Sequence, residues 1–214
     1  MDRIAGQELI VENAETEING DISLVDGKIG KAVKFSGRGE YIDLGNLQNT
    51  CLGDPIRCMY GFTLAFWIKP ETLPATKTYY FSSSAHGFNV YSEQNSMYSE
   101  VRSGNKVWRD TFYGLEVGKW NFVELTWNPE RGTEMFLDLK RASFQRRHSS
   151  ESTPTSTENK FFIGRSHGNQ KYETNPSVIL DEVEMFYGDR QSLLDLDLIQ
   201  RGKNDVICQY PAKM

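Results

Sequence analysis

The residues that come closest to a catalytic arrangement are two acids in the segment LDEVEMF (180–186). Glu182 and Glu184 lie two positions apart, so in an extended strand their side chains project from the same face. Retaining glycosidases cleave sugar chains with two carboxyl groups about 5 Å apart and of different pKa, and i, i+2 neighbours on a strand are about 6 to 7 Å apart at the backbone. The spacing therefore permits glycanase chemistry, although the next position on that face is Phe186.

Other side chains that could carry out chemistry are scattered along the sequence. The histidines His86, His148 and His167 fall in separate predicted loops, with no cysteine or carboxylate at the spacing of a zinc site. The sequence contains no Gly-x-Ser-x-Gly elbow and no glycine loop of the kind that binds phosphate. We interpret the histidines as solvated loop residues and find no candidate nucleophile.

The cysteines suggest one disulfide. Cys51 and Cys58 are seven positions apart around the turn Gly53-Asp54-Pro55, so the two thiols can meet. A bridge that closes this loop would stabilise the fold by about 2 to 3 kcal/mol, and the alternative is two buried or free thiols. For Cys208 we expect a free, inert thiol, with pairing to another chain or domain as the alternative.

The elements that must position these residues are strands. Three segments alternate apolar and polar residues between glycine-rich turns, as strands in an antiparallel sandwich do: GKAVKFSGRGEYIDLG (30–45), GFTLAFWIKP (61–70) and VGKWNFVELTWN (117–128). In the second segment one face carries only apolar side chains, those of Phe62, Leu64, Phe66 and Ile68. The pattern predicts an all-β protein.

Together with KFFIGRSHG (160–168) and VILDEVEMFYGDRQSLLDLDLIQRG (178–202), these segments resemble the laminin-G-like domains of the concanavalin A-like lectin/glucanase superfamily, of the metazoan extracellular type. Five motifs of that family occur in order over roughly residues 27–202. The resemblance implies one jelly-roll domain across 1–214, a two-sheet antiparallel β-sandwich with a short C-terminal helix. It also implies an N-terminal edge strand within the first twenty or so residues.

Two further local features can be predicted from the sequence. Members of the family make a tight Asp-Gly hairpin near residue 139, where this chain has Leu139, and a leucine resists positive φ. We therefore expect a longer turn or one of another type. The segment 145–160 lacks apolar periodicity and is rich in serine and threonine, so we expect an exposed, mobile loop.

The resemblance also bears on the acids of 180–186. The glucanases of the superfamily carry acids at i, i+2 and i+4 of one strand, whereas the third position here is Phe186. The alignment instead places Asp181 and Glu182 in the closing strand of laminin-G-like modules, whose acids are structural. We predict that the chain is not an enzyme.

Calcium is the one cofactor that the resemblance implies. Related sandwiches hold a structural ion between the turn after the first core strand and the closing strand, which maps onto Gly37 and Asp181. The alternative is that backbone N–H groups hold the Asp181 carboxylate. In either case burial is expected, because Asp181 alternates with three apolar residues, Ile179, Val183 and Met185.

Charge and hydropathy limit the partners. The net charge is −5 and the 24 basic residues form no strip, so nucleic acid is not expected as a partner. No apolar run approaches the ~20 residues that span a bilayer. The first ten residues do not read as a secretory signal, so the chain is either intracellular or a fragment of an ectodomain. The cysteine loop favours the extracellular alternative.

The predicted function is that of an extracellular recognition or adhesion module, one unit of a larger secreted or cell-surface protein that binds a protein or glycan. The alternatives are a carbohydrate-binding lectin and, third, a glycanase of the same superfamily. Candidate contacts are aromatic residues, half of which we expect to be packing residues, with one histidine and a basic pair: Tyr79, Tyr80, His86, Tyr91, Tyr98, Trp108, Tyr113, Arg146 and Arg147.

Overall fold

The computed structural model describes residues 16–47, 50–51, 53–83, 85–153, 160–168 and 175–190. The apolar run ELIV (8–11), the predicted helix after the closing strand and Cys208 lie outside these ranges. The strands, in chain order, are β1 (Glu17–Asn19), β2 (Ser23–Asp26), β3 (Lys31–Ser36), β4 (Tyr41–Asn46), β5 (Phe62–Pro70), β6 (Thr78–Ser83), β7 (Phe88–Glu93), β8 (Ser96–Ser103), β9 (Lys106–Tyr113), β10 (Asn121–Asn128), β11 (Gly132–Leu137), β12 (Lys140–Gln145), β13 (Ser149–Ser150), β14 (Lys160–Ile163) and β15 (Ser177–Tyr187).

These strands form two antiparallel sheets. The eight-stranded sheet has the order β1-β4-β14-β6-β7-β8-β9-β13, and the seven-stranded sheet has the order β12-β11-β10-β5-β15-β3-β2. The predicted two-sheet antiparallel sandwich is therefore confirmed. β1 pairs with β4 at an edge of the eight-stranded sheet. A short 3-10 turn, Pro55–Arg57, lies in the connection between β4 and β5. Among the described residues, no helix is long and apolar enough to span a membrane.

The core lies between the two sheets and is largely aromatic. The predicted inward face of β5 is confirmed, because its four apolar side chains are at most 1% exposed. Rings from opposite sheets meet in the interior: the ring centroids of Phe66 and Phe81 are 4.8 Å apart, and those of Trp108 and Trp127 are 5.4 Å apart. Such edge and tilted contacts add to the hydrophobic stabilisation and join the layers.

A β-bulge in β15 changes which residues of the closing strand face the core. Asp181 pairs with Trp67 and Glu184 with Ala65, so two residues of β15 oppose one residue of β5, and Glu182 has φ +43°. After the bulge, Val183 and Met185 contact the core, whereas Asp181 lies beside Trp67 on the outer face. The prediction that Ile179, Asp181, Val183 and Met185 share one face is therefore wrong.

The β11–β12 hairpin also differs from expectation. Leu137 pairs with Lys140, and the two intervening residues, Asp138 and Leu139, have φ of 49° and 66°. The connection is thus a tight two-residue turn with positive φ at both positions, as in type I′ turns. The prediction of a longer turn or another type is wrong, because Leu139 adopts the strained conformation with its side chain exposed.

Candidate binding surfaces

The first candidate surface is the loop closed by the predicted disulfide. Cys51 and Cys58 are bonded, which confirms the pairing, and both are buried within the hydrophobic core. The loop between them turns at Asp54, whose carboxylate accepts a hydrogen bond from the Ile56 N–H, with Pro55 as the first residue of the 3-10 turn. We call residues 51–61, of which the structure describes all but 52, the disulfide loop.

Hydrogen bonds to later parts of the chain fix the backbone of the disulfide loop. The Arg57 carbonyl accepts from the Tyr187 hydroxyl at 3.0 Å, and the Tyr60 carbonyl accepts from the Asp189 N–H at 2.9 Å. The Gly61 carbonyl accepts from the Gly188 N–H at 2.9 Å. The loop is therefore held at both ends by the core and along its length by the end of β15.

Apolar side chains project from this fixed backbone. Met59 and Tyr60 occupy the two central positions of a turn closed by a hydrogen bond from the Gly61 N–H to the Cys58 carbonyl. Ile56, Met59 and Tyr60 are 63%, 68% and 56% exposed. Turn positions usually carry small polar residues, so three large apolar side chains in five positions are unusual. These three residues were not among the predicted contacts, although the apolar pair Met59-Tyr60 directly after Cys58 was a signal for them.

The second candidate surface lies on the outer face of the eight-stranded sheet. Tyr79, Tyr91 and Tyr98 lie on the neighbouring strands β6, β7 and β8, and we call them the tyrosine row. The ring centroids of Tyr79 and Tyr91 are 5.2 Å apart, and those of Tyr91 and Tyr98 are 5.0 Å apart and nearly parallel. The Lys77 ammonium lies 5.1 Å from the Tyr79 centroid and 4.1 Å from the Tyr91 centroid. The row is thus a cation–π arrangement.

Charged residues continue this face beyond the tyrosine row. The Arg109 guanidinium pairs with Glu100 at 2.7 Å and also with Glu151, to which Arg102 donates at 2.9 Å. The two arginines lower the pKa of Glu151 to about 2, and Glu151 in turn raises the pKa of Arg109. The predicted mobile loop 145–160 is therefore anchored at its start, since β13 pairs with β9 and Glu151 joins this network.

The remaining predicted contacts do not join either surface. Tyr80 and Trp108 are each 1% exposed and belong to the core, and burial raises the pKa of Tyr80 to about 12. Tyr113 is 73% exposed at the end of β9. His86 is half-buried in the turn before β7, and Arg146 and Arg147 are exposed after β12. The structure thus divides the predicted contact set among the core, the tyrosine row and separate surface positions.

The two acids considered for glycanase chemistry sit at the bulge of β15. Glu182 is the residue of the bulge with positive φ. Glu184 follows the bulge and pairs with Ala65, so the regular i, i+2 alternation does not run from Glu182 to Glu184. On the other side of Ala65 lies Glu124, whose carboxylate pairs with Arg190. Burial raises the pKa of Glu124, and the Arg190 charge offsets this in part.

Asp181 is fully buried beneath the turn between β2 and β3. Its carboxylate accepts hydrogen bonds from the N–H groups of Ile29 and Glu182, both at 2.9 Å. A Cβ atom at Gly27 would lie 2.5 Å from the Asp181 Oδ2 atom, so any larger residue here would have to displace the Asp181 carboxylate. The carboxylate is therefore held by backbone donors, as in the alternative to a calcium site.

Gly37 lies at the other end of the β3–β15 ladder, beside Asn175 and Ser177. Asp181 is four residues further along β15, about 13 Å away. The structure therefore does not bring Asp181 and Gly37 together. Within the described ranges, no three His, Cys, Asp or Glu side chains converge as a metal site. Calcium binding stays a prediction.

Comparison with known proteins identifies the family. The model of the concanavalin A-like lectin/glucanases superfamily matches residues 36–191. The chain belongs to this superfamily. Its two-sheet sandwich is thus the fold of a superfamily whose name covers both lectins and glucanases. No curated protein is recognisably similar to the chain in sequence.

Similar solved structures include three binding domains. The botulinum neurotoxin serotype D binding domain is 17% identical over 94% of this chain and 52% of its own, with a TM-score of 0.65. The binding domain of Paraclostridial Mosquitocidal Protein 1 is 12% identical over 89% and 48%, with a TM-score of 0.63. The binding domain of botulinum neurotoxin DC, in complex with rat synaptotagmin II, is 13% identical over 93% and 51%, with a TM-score of 0.60. At these identities the likeness shows the fold alone, and the chain spans about half the length of the structures it matches.

Proposed function

We propose that this chain is a non-catalytic extracellular recognition module that binds a protein partner through the disulfide loop, as one unit of a larger secreted or cell-surface protein. The observation that carries the proposal is the exposure of Ile56, Met59 and Tyr60, each more than half exposed on a fixed backbone. Burying a large apolar side chain contributes about 1.5 to 3 kcal/mol, so three of them supply enough for specific binding.

Rigidity supports this assignment of the surface. A loop that is already ordered by a disulfide and by hydrogen bonds to β15 loses little conformational freedom when a partner covers it. Its surroundings are charged: Arg57 and Asp54 lie beside the apolar residues, and Arg131 pairs with Asp189 behind Tyr60. An apolar centre with a polar rim is the usual anatomy of a protein interface.

The disulfide supports the extracellular part of the proposal, because such bonds persist in oxidising environments. The β-bulge in β15 supports the proposal that the module is non-catalytic. It interrupts the regular i, i+2 spacing that would place the side chains of Glu182 and Glu184 on one face of the strand. The two botulinum neurotoxin structures named above are binding domains, one of them in complex with rat synaptotagmin II, which supports a protein partner here.

A lectin is the second candidate, and the tyrosine row favours it. Tyrosine rings beside charged side chains can stack on a sugar while those side chains bind its hydroxyl groups. However, Tyr79 and Tyr91 are only 3% and 7% exposed, so little ring surface is open to a sugar. The disulfide loop offers more accessible apolar surface and is the preferred site.

A binding screen tests whether the disulfide loop or the tyrosine row is the binding site. The purified domain would be tested against a panel of secreted and cell-surface ectodomains, with a glycan array beside it. We expect a protein hit whose affinity falls about 30-fold or more in the triple variant Ile56→Ser, Met59→Ser, Tyr60→Ser.

The matched control is Leu139→Ser, since Leu139 is 65% exposed on the β11–β12 hairpin and should not affect the hit. Equal affinity of the triple variant and the wild type would reject the disulfide loop as the site. A glycan signal that survives the triple variant and disappears in Tyr98→Ala would favour the lectin.

A further inference from the structure

Lys77 occupies an unusual position for a lysine beside an acid. Thr78, the first residue of β6, pairs with Ser92, so Lys77 just before β6 and Glu93 at the end of β7 follow this pair on neighbouring strands. The two side chains nevertheless form no ion pair. The Lys77 ammonium instead lies over the faces of Tyr79 and Tyr91. A primary ammonium is strongly hydrated, and here it gives up water without a carboxylate to accept its protons.

The surroundings of the two rings favour positive charge. Burial raises the pKa of Tyr91, and the negative charges of Glu100 and Glu93 raise it further. The ring faces are also negative by virtue of their quadrupole. Glu100 is paired with Arg109, whereas Glu93, the other acid that acts on Tyr91, forms no ion pair among the described residues. The two rings and the nearby acids together make a negative environment in which Lys77 is the cation over the ring faces.

The position of Lys77 in the chain allows its ammonium group to move away from the two rings. It precedes β6 by one residue and belongs to the irregular segment 71–77, and its side chain is half-buried rather than enclosed. A change of rotamer would carry the ammonium into solvent without disturbing the β6–β7 pairing. Tyr98 stacks on Tyr91 from the other side and keeps that ring in place.

We propose that Tyr79 and Tyr91, with Glu93 beside them, form a binding site for a quaternary ammonium group, and that Lys77 is the internal cation which such a ligand displaces. A quaternary ammonium has no N–H donors to satisfy and is more weakly hydrated than an ammonium, so aromatic faces recognise it well. In the free protein Lys77 competes for the site and lowers the apparent affinity. This site is separate from the disulfide loop and independent of the proposed function.

The test is an NMR titration of the whole chain with choline. In the free protein the ε-methylene protons of Lys77 should resonate upfield, because they lie over two rings, and they should move downfield as choline binds. The ring signals of Tyr79 and Tyr91 should shift at the same time. We expect Lys77→Ala to bind choline about fivefold more tightly than wild type, as loss of one exposed cation–π contact implies.

Lys28→Ala is the matched control, because Lys28 also lies over an aromatic ring, that of Trp67, on the other sheet. It should bind choline as the wild type does. The neutral isostere 3,3-dimethylbutan-1-ol should bind much more weakly than choline. Trimethyl-lysine and phosphocholine carry the same group from different sources, and phosphocholine should bind less well than trimethyl-lysine because its phosphate meets Glu93 and Glu100.

Three results would overturn the proposal. The first is equal choline affinity in wild type and Lys77→Ala, which would mean that Lys77 does not occupy the site. The second is equal binding of choline and its neutral isostere, which would mean that the charge is not recognised. The third is absence of choline binding in both proteins, including Lys77→Ala, in which the ring faces are open.

Discussion

The outer faces of the two sheets differ in how their polar groups are held. On the seven-stranded sheet, segments far away in the sequence cover the acids: the turn at Ile29 donates to Asp181, and Arg190 pairs with Glu124. On the eight-stranded sheet, neighbouring strands supply the contacts, as in the tyrosine row and in the pairs that Arg109 makes with Glu100 and Glu151. The first face is closed by distant segments of its own chain. The second is the more open face, where the Arg109 side chain is 45% exposed, although Tyr79 and Tyr91 themselves are buried.

The same contrast separates the two cation–π lysines. Lys28 lies 4.6 Å from the centroid of Trp67, and its own turn is fastened to Asp181 by the Ile29 N–H. Lys77 ends the segment 71–77, whose first residue donates its N–H to the Ser177 carbonyl at 3.0 Å, and it lies over two rings instead of one. We propose that the cation–π contact of Lys77, unlike that of Lys28, is exchanged for a ligand.

The largest expected effect comes from the closed face. Asp181→Ala removes a fully buried carboxylate and leaves the N–H groups of Ile29 and Glu182 without an acceptor. Hydrogen bonds to charged groups contribute about 1.5 to 3 kcal/mol each, so we expect a loss of about 3 kcal/mol in the free energy of unfolding. The melting temperature should fall by about 6 to 12 °C, measured by calorimetry or circular dichroism.

Asp26→Ala is the control, since Asp26 lies in the same hairpin but its side chain is 92% exposed and pairs only with Lys31. It should change the free energy of unfolding by less than about 0.5 kcal/mol. If the two variants melt alike, Asp181 is not what holds the turn. A chelator should leave the wild-type melting temperature unchanged if backbone donors alone hold Asp181, and lower it if calcium binds there.

The alternation of apolar residues was enough to predict the strands and the inward face of β5. It failed in β15, because a bulge at Glu182 depends on a positive φ that no residue type there favours. The sequence therefore predicted that Asp181 is buried, yet on the wrong face and beside the wrong turn. Asp181 is buried because the turn that contains Gly27 covers it. The reason for a glycine at position 27 becomes clear only from the structure, in which the Asp181 carboxylate lies directly beneath it.

Binding residues were harder to predict than strands. Tyrosines were proposed as contacts by type, but Tyr80 and Trp108 fill the core because alternation places them on inward faces. The exposed residues Ile56, Met59 and Tyr60 lie in turns, where no periodicity distinguishes inside from outside. The disulfide was predictable because Cys51 and Cys58 flank a Gly-Asp-Pro turn that allows the two thiols to meet.

A smaller change in the free energy of unfolding is expected at the β11–β12 hairpin, which lies at the edge of the seven-stranded sheet. Leu139 has φ of 66°, a conformation that costs a residue with a Cβ atom about 1 to 2 kcal/mol. Leu139→Gly should raise the free energy of unfolding by about 1 kcal/mol, measured by urea denaturation, because glycine adopts this φ without strain. Ala142→Gly, within β12 of the same hairpin, should lower it. A destabilised Leu139→Gly protein would mean that the leucine side chain contributes packing that its exposure does not suggest.

The smallest effect should come from the open face. Arg109 and Arg102 lower the pKa of Glu151 from 4.5 to about 2, so this carboxylate stabilises the folded state above pH 4.5, and the contribution is lost as the pH falls towards 2. The side chain is 33% exposed, and solvent screening limits the contribution of such pairs to about 1 kcal/mol or less. Glu151→Gln should therefore be slightly less stable than wild type at pH 7, and the difference should shrink at pH 3. Urea denaturation at both pH values measures it. A loss as large as that of Asp181→Ala would mean that the eight-stranded face is closed as tightly as the other one.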